Sequence, residues 1–147
     1  MANCLYSGDK PLGIVQSNAE DVAYDSNTSV KEKIDDIADY SETEKVIGKW
    51  IDGKPLYQKT ISFGGLPNAT TKSVAHNISN LKKIVNFNGY ATDNSNFIPI
   101  PYIYQSSGNM VGIQIYANAT NVVIRTMLND SGFTECYITL KYTKTTD

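Results

Sequence analysis

At 147 residues, with 41% hydrophobic and 19% charged residues, the chain is long enough for one domain with a real core and a small appendage, whereas two full domains would be a squeeze. A formal charge of −2 argues against nucleic acid, because phosphate binding needs concentrated Lys and Arg, and Lys82-Lys83 is the only basic cluster. No apolar run approaches the roughly 20 residues of a membrane span, and MANCLYSGDK lacks the charged-then-apolar layout of a signal peptide, so the reading is a protein made and assembled in a cytosol, or one that reaches the outside by another route such as lysis.

Residues 1–28 are polar, contain Gly8, Pro11 and Gly13, and show no sustained period. Only 12–15 has the makings of a short strand, and the segment reads as a leader that orders on a partner surface. Ser29 and Glu32 in Ser29-Val30-Lys31-Glu32 then form a capping-box pattern. The spacing predicts a short helix over 30–39, within a neck at 29–40. Its apolar residues Val30, Ile34, Ile37 and Ala38 make one narrow stripe. About three turns of helix are marginal alone in water. The stripe therefore packs either on the chain's own β domain or on copies of itself about a symmetry axis, as coiled-coil core positions do.

After Tyr40 the pattern changes to strand period. The stretch YSETEKVIGKWIDGKPLYQKTISF has β-formers on both sides of Asp52-Gly53, the pair that a tight two-residue type I′ hairpin turn favours. That register sets Trp50 opposite Pro55 and Gly48 opposite Tyr57, with the tyrosine ring covering the bare glycine. Further strands are expected at 72–76, 82–90, 97–105, 111–117, 121–127 and 136–144, separated by clusters of Gly, Pro, Asn, Asp and Ser. In VGIQIYA, Val111, Ile113, Ile115 and Ala117 share a face; in CYITLKYT, Cys136, Ile138, Leu140 and Tyr142 oppose Tyr137, Thr139, Lys141 and Thr143. Short strands at regular spacing point to a mainly β head over 41–147, an antiparallel sandwich or jelly roll.

Catalytic chemistry needs a convergent acid, base, nucleophile or metal, and little qualifies. His76 is the only histidine, so a histidine-rich zinc site and a triad with a spare histidine are both unavailable. It reads as a strand-end side chain bonded to a neighbouring loop. Asp93 stands alone in a loop, Asp130 and Glu135 flank a turn, and no phosphate-loop, dinucleotide or nucleophile-elbow motif occurs. The expectation is no enzyme, no cofactor and no metal. Cys4 and Cys136 lie near opposite ends without metal-site spacing, and Cys136 reads as a small apolar strand residue. Aromatic rings with amide and carboxyl neighbours suit sugar recognition, since a pyranose face stacks on a ring while its hydroxyls find polar partners. On that ground Tyr90, Asp93, Asn94, Asn96, Tyr102 and Tyr104 are the candidate receptor-binding residues, although Tyr and Thr are also ordinary strand residues.

The order of an AEDVAYD-type leader, the helix SVKEKIDDIADY, the hairpin SETEKVIGKWIDGKPLYQKTI, the segment SVAHNISNLKKIV and a terminal KYTKTTD resembles fibre and receptor-binding proteins of tailed bacteriophages and their prophage relatives. The likeness covers about residues 19–87 and the last strand. It implies a homotrimer whose leader (1–28) binds other virion proteins, whose neck knots through Val30, Ile34 and Ile37, and whose β heads bind a host-surface saccharide. It also implies a virion location after synthesis in the host cytoplasm. A capsid-decoration protein without receptor is the alternative of a different class, and a glycan-degrading enzyme is a third. Fibre subunits of this kind often carry a shaft between leader and head, and this chain has almost none.

Overall fold

A computed structural model describes residues 3–7, 10–15 and 40–146. The chain divides into two units, Met1–Asp39 and Tyr40–Asp147. In the first, β1 (Asn3–Ser7) and β2 (Lys10–Val15) pair antiparallel from Asn3 opposite Val15 to Ser7 opposite Lys10. A strand was expected only at 12–15; the partner over Asn3–Ser7 has too little alternation to announce itself. The predicted helix, with Val30, Ile34 and Ile37, lies outside the described residues. Among those described there is no helix.

The second unit has nine strands in two antiparallel sheets. They are β3 (Lys45–Lys49), β4 (Pro55–Ser62), β5 (Thr71–Ala75), β6 (Leu81–Thr92), β7 (Phe97–Ile100), β8 (Tyr102–Ser106), β9 (Asn109–Ala117), β10 (Asn121–Thr126) and β11 (Glu135–Lys144). One sheet has the order β3-β4-β11-β6-β7 and the other β5-β10-β9-β8. The run 97–105, expected as one strand, is split at the cis Ile100–Pro101 peptide. Proline has no N–H to give a ladder, and β7 and β8 end up in different sheets.

Period-two alternation on each sheet supplies the core. Ile61 of β4, Ala91 of β6 and Cys136, Ile138, Leu140 and Tyr142 of β11 are buried with Ile113 of β9 and Val122 and Ile124 of β10 in one cluster, which is consistent with a β-sandwich. Two lysines tie loops to this core. Lys72 Nζ donates to the carbonyls of Phe63 (2.9 Å) and Gly65 (2.8 Å), and Lys59 Nζ donates to that of His76 (3.0 Å). His76, almost wholly buried, accepts the Ile78 N–H on Nδ1 (3.1 Å), so Nε2 carries the proton toward the Asn118 carbonyl at 3.2 Å. Both bonds run to loops, the role its strand-end position had pointed to.

The hairpin at Asp52-Gly53 departs from the expected two-residue turn. Trp50 N–H donates to the Lys54 carbonyl (2.8 Å) and Gly53 N–H to the Trp50 carbonyl (2.9 Å), leaving Ile51, Asp52 and Gly53 as a three-residue loop with Gly53 at φ 82°. This is a type I turn closed by a left-handed glycine. A two-residue I′ turn needs positive φ at both central residues; here Asp52 instead uses Oδ1 to accept the Lys54 N–H at 3.1 Å. The register moves by one: Lys49 faces Pro55, Gly48 faces Leu56, and Tyr57 faces Val46 across a bulge. Tyr57 therefore does not cover Gly48. It stacks on Tyr142, with centroids 5.8 Å apart, and the buried Tyr142 hydroxyl donates to Glu44 Oε2 at 2.6 Å.

Two consequences can be measured. At Gly89 of β6 an added Cβ would run into the Tyr137 carbonyl oxygen and Ile138 Cδ1 of β11. Gly89→Ala is expected to destabilise the fold by about 1–3 kcal/mol, read as a fall in urea midpoint; a midpoint equal to wild type would contradict this strand spacing. Burial pushes the Cys136 thiol from its ordinary value near 9 up to about 12, and burial, then the bond to Glu44, raises the Tyr142 hydroxyl. In both cases the folded chain holds its proton more tightly than the unfolded chain. Stability should therefore be level at neutral pH and fall as pH rises from about 9 toward 12, where the unfolded state ionises first. Urea midpoints at pH 8 and pH 10.5 check this, with Cys136→Ala expected to shrink the drop; a profile that is flat or rising would contradict it.

Candidate functional site

Alternation that sends Cys136, Ile138 and Leu140 into the core sends Tyr137 and Thr139 to the opposite face of the five-stranded sheet. Pairing then assembles rows across the strands. Tyr137 of β11 lies between Ser62 of β4 and Tyr90 of β6, and Tyr90 lies beside Pro99 of β7. One pair along, Thr139 lies between Thr60 and Asn88. An aromatic row thus runs next to a polar one.

In the aromatic row, Tyr137 and Tyr90 have ring centroids 5.8 Å apart at 35°. Phe97, at the far end of the β6–β7 hairpin, is 6.1 Å from Tyr90 at 46°. Tyr90 is 42% exposed and Phe97 70%, so large ring surfaces remain open to solvent. In the polar row the Thr60 and Thr139 hydroxyls bond to each other at 3.0 Å, and the Asn88 amide is exposed. The segment from Tyr40 to Glu42 forms a wall, held where the Ser41 carbonyl accepts the Thr60 N–H at 2.8 Å. Together Tyr40, Ser41, Glu42, Thr60, Asn88, Tyr90, Tyr137 and Thr139 line an open groove of about 570 Å3. Such a groove offers ring faces beside hydroxyl, amide and carboxylate groups. Glu42 is its one acidic side chain and it contains no cationic one.

The six residues singled out from sequence do not converge. Tyr90 belongs to the groove. Asp93 and Asn94 form the β6–β7 turn, and Asp93 spends its carboxylate on the turn itself: Oδ1 accepts the N–H groups of Ser95 (2.9 Å) and Asn96 (2.6 Å), and Oδ2 accepts Asn96 Nδ2 (2.9 Å). The Asn96 side chain, then the backbone N–H groups of Asn96 and Ser95, hold the exposed Asp93 carboxyl below its ordinary value. Asn94 has φ 71° and gives its N–H to Thr92 Oγ1 at 2.9 Å. Both are turn-makers. Tyr102 and Tyr104 pair with Ile113 and Val111 on the core-facing side of the four-stranded sheet, stacked at 5.5 Å. With Asn96 they line a separate cleft around Asp130. Tyr137, Asn88, Thr60 and Thr139 were missed as site residues. Their only sequence signal is the outward phase of strand alternation, and that gives no notice that β6, β4 and β11 are neighbours.

Among the described residues no group of three or more His, Cys, Asp or Glu side chains could hold a metal ion, and Glu42 is the groove's single carboxylate, so a paired-carboxylate mechanism has no second member there. No protein-family model, curated protein or solved structure matches the chain.

Proposed function

We propose that the protein is a short, non-enzymatic fibre subunit of a tailed-phage virion, trimeric through the 29–40 neck and anchored by its leader, whose jelly-roll-like head binds a host-surface saccharide in the groove of the five-stranded sheet. The observation that carries the saccharide reading is the aromatic row of Tyr137, Tyr90 and Phe97 beside the polar row of Thr60, Thr139 and Asn88. A sugar ring presents C–H faces to aromatic rings and hydroxyls to amide and hydroxyl groups, and this arrangement offers both at once. The groove is open, which suits an internal stretch of polymer. Trimerisation would present three such grooves on each fibre, so weak single-site affinity becomes firm attachment through effective concentration. The virion and trimer assignments rest on the likeness of the leader, neck and hairpin phrases to phage fibres.

One observation favours the other reading, a capsid-decoration protein without receptor. On the outer face of the four-stranded sheet Ile103, Met110 and Met127 are largely exposed together, a surface suited to contact with another protein. Adsorption separates the two. Purified full-length chain should bind host cells saturably and block infection. Tyr90→Ala should weaken binding at least severalfold through lost ring contact, whereas Asp93→Asn should leave it within about twofold because Asp93 serves its own turn. No saturable adsorption would favour decoration, and full adsorption by Tyr90→Ala would place the receptor site outside the groove.

A further inference from the structure

A second cavity, of about 330 Å3, opens among Asn96, Ile98, Tyr102, Tyr104, Asp130 and Phe133 and shares no lining residue with the groove. Asp130 is only 8% exposed. Its Oδ1 accepts the Tyr104 hydroxyl at 3.1 Å, while Oδ2 is buried without a hydrogen-bond partner, the one such side-chain atom among the described residues. A buried acceptor without a donor is costly.

The surrounding groups narrow what would satisfy it. Asn96 turns its amide nitrogen toward Asp93 Oδ2 (2.9 Å), and the Tyr104 hydroxyl is committed to Asp130. What the wall has left is mostly acceptor capacity, namely Asp130 Oδ2, the carbonyl oxygen of the Asn96 side chain and the lone pairs of the Tyr104 oxygen, with the Tyr102 hydroxyl able to donate or accept. The rest is ring and aliphatic surface, with Tyr102 and Tyr104 stacked and Phe133 beside them. A ligand that satisfies Asp130 must donate and must suit aromatic surface. Divalent cations fit poorly, since calcium takes six to eight oxygen ligands and one carboxylate among rings cannot supply them.

We propose that this cavity binds a primary ammonium group, carried by a surface polymer or by a free amine. An ammonium brings three N–H donors and no acceptor, its charge complements the Asp130 carboxylate, and the aromatic surface attracts a cation. Because Oδ2 is buried in the ligand-free chain, binding requires a partial turn of the carboxyl about χ2, a broad torsion in aspartate, at the expense of the Tyr104 bond, whose place at the carboxylate the ammonium takes. The inference is independent of the groove.

The test titrates full-length protein with propylammonium, choline and 1-propanol at constant ionic strength, following NMR signals of Tyr102, Tyr104 and Phe133. Propylammonium should saturate on the order of millimolar, with choline, which lacks N–H donors, and the neutral alcohol at least about tenfold weaker. Asp130→Asn should abolish saturation without lowering the melting temperature, and Tyr104→Phe, which keeps the ring and frees the carboxylate, should retain it. Tyr90→Ala should bind the amine normally, which keeps this site separate from the groove. Tighter binding of an amine-bearing polymer, chitosan oligomer, than of propylammonium assigns the ammonium to a polymer; equal binding assigns it to a free amine. Absence of saturation, an equal response to propanol, or unchanged affinity in Asp130→Asn would overturn the proposal.

Discussion

Strand β11 and its strict alternation are what the rest of the head depends on. It lies between β4 and β6 in the five-stranded sheet, and its two faces have different duties. Cys136, Ile138, Leu140 and Tyr142 are buried in the core, while Tyr137 and Thr139 set the middle of the groove. A slip of one residue would exchange the two sets, placing the Lys141 amine in the core and Leu140 on the surface. Gly89 enforces the fit from the neighbouring strand, because no Cβ can be accommodated where β6 approaches the β11 backbone. Core stability and groove geometry are therefore one constraint seen from two sides.

The loops around this frame are made of short polar residues that bond to their own backbones. Asp52, Asp93, Asn118 and Asn129 each accept a backbone N–H two residues on, the Asx-type bond that lets a chain turn tightly without a long loop. This explains a surface rich in Asn, Asp, Ser and Thr without assigning each of them to ligand binding. Asp93 is the clearest case: a lone loop carboxylate beside amides looks like a receptor contact in sequence, yet every bond it makes in the fold is local. Asp130 is its opposite, a turn-flanking acid in sequence that proves to be buried beside Tyr104.

Much of the sheet content was legible because alternation survives in a single sequence. The faces of 111–117 and 136–144 are those the residues dictated, and the length of β6 was underestimated only at its ends. What was not legible is everything set by long-range pairing. Tyr90 and Tyr137 are 47 residues apart in the sequence (137 minus 90) and meet because β11 returns beside β6. Nothing local encodes that return. Tyr102 and Tyr104 lie half-buried on the core-facing side of their sheet, away from Tyr90, for a related reason: strand period gives two faces but not which one is inside, and aromatic residues suit either. The hairpin register failed more locally, since Asp-Gly is compatible with both two- and three-residue loops, and the Asp52 side-chain bond to Lys54 favours the longer one.

The claim on which the functional account rests is that ligand recognition belongs to the outward face of the β11–β6 pair. Backbone and side-chain NMR shifts on adding the host's surface polysaccharide test it most directly. The account predicts perturbations centred on Asn88, Tyr90, Tyr137 and Thr139, with the Asp93–Asn96 turn little affected. Perturbations confined to that turn, or to the outer face of the four-stranded sheet around Ile103 and Met110, would contradict it.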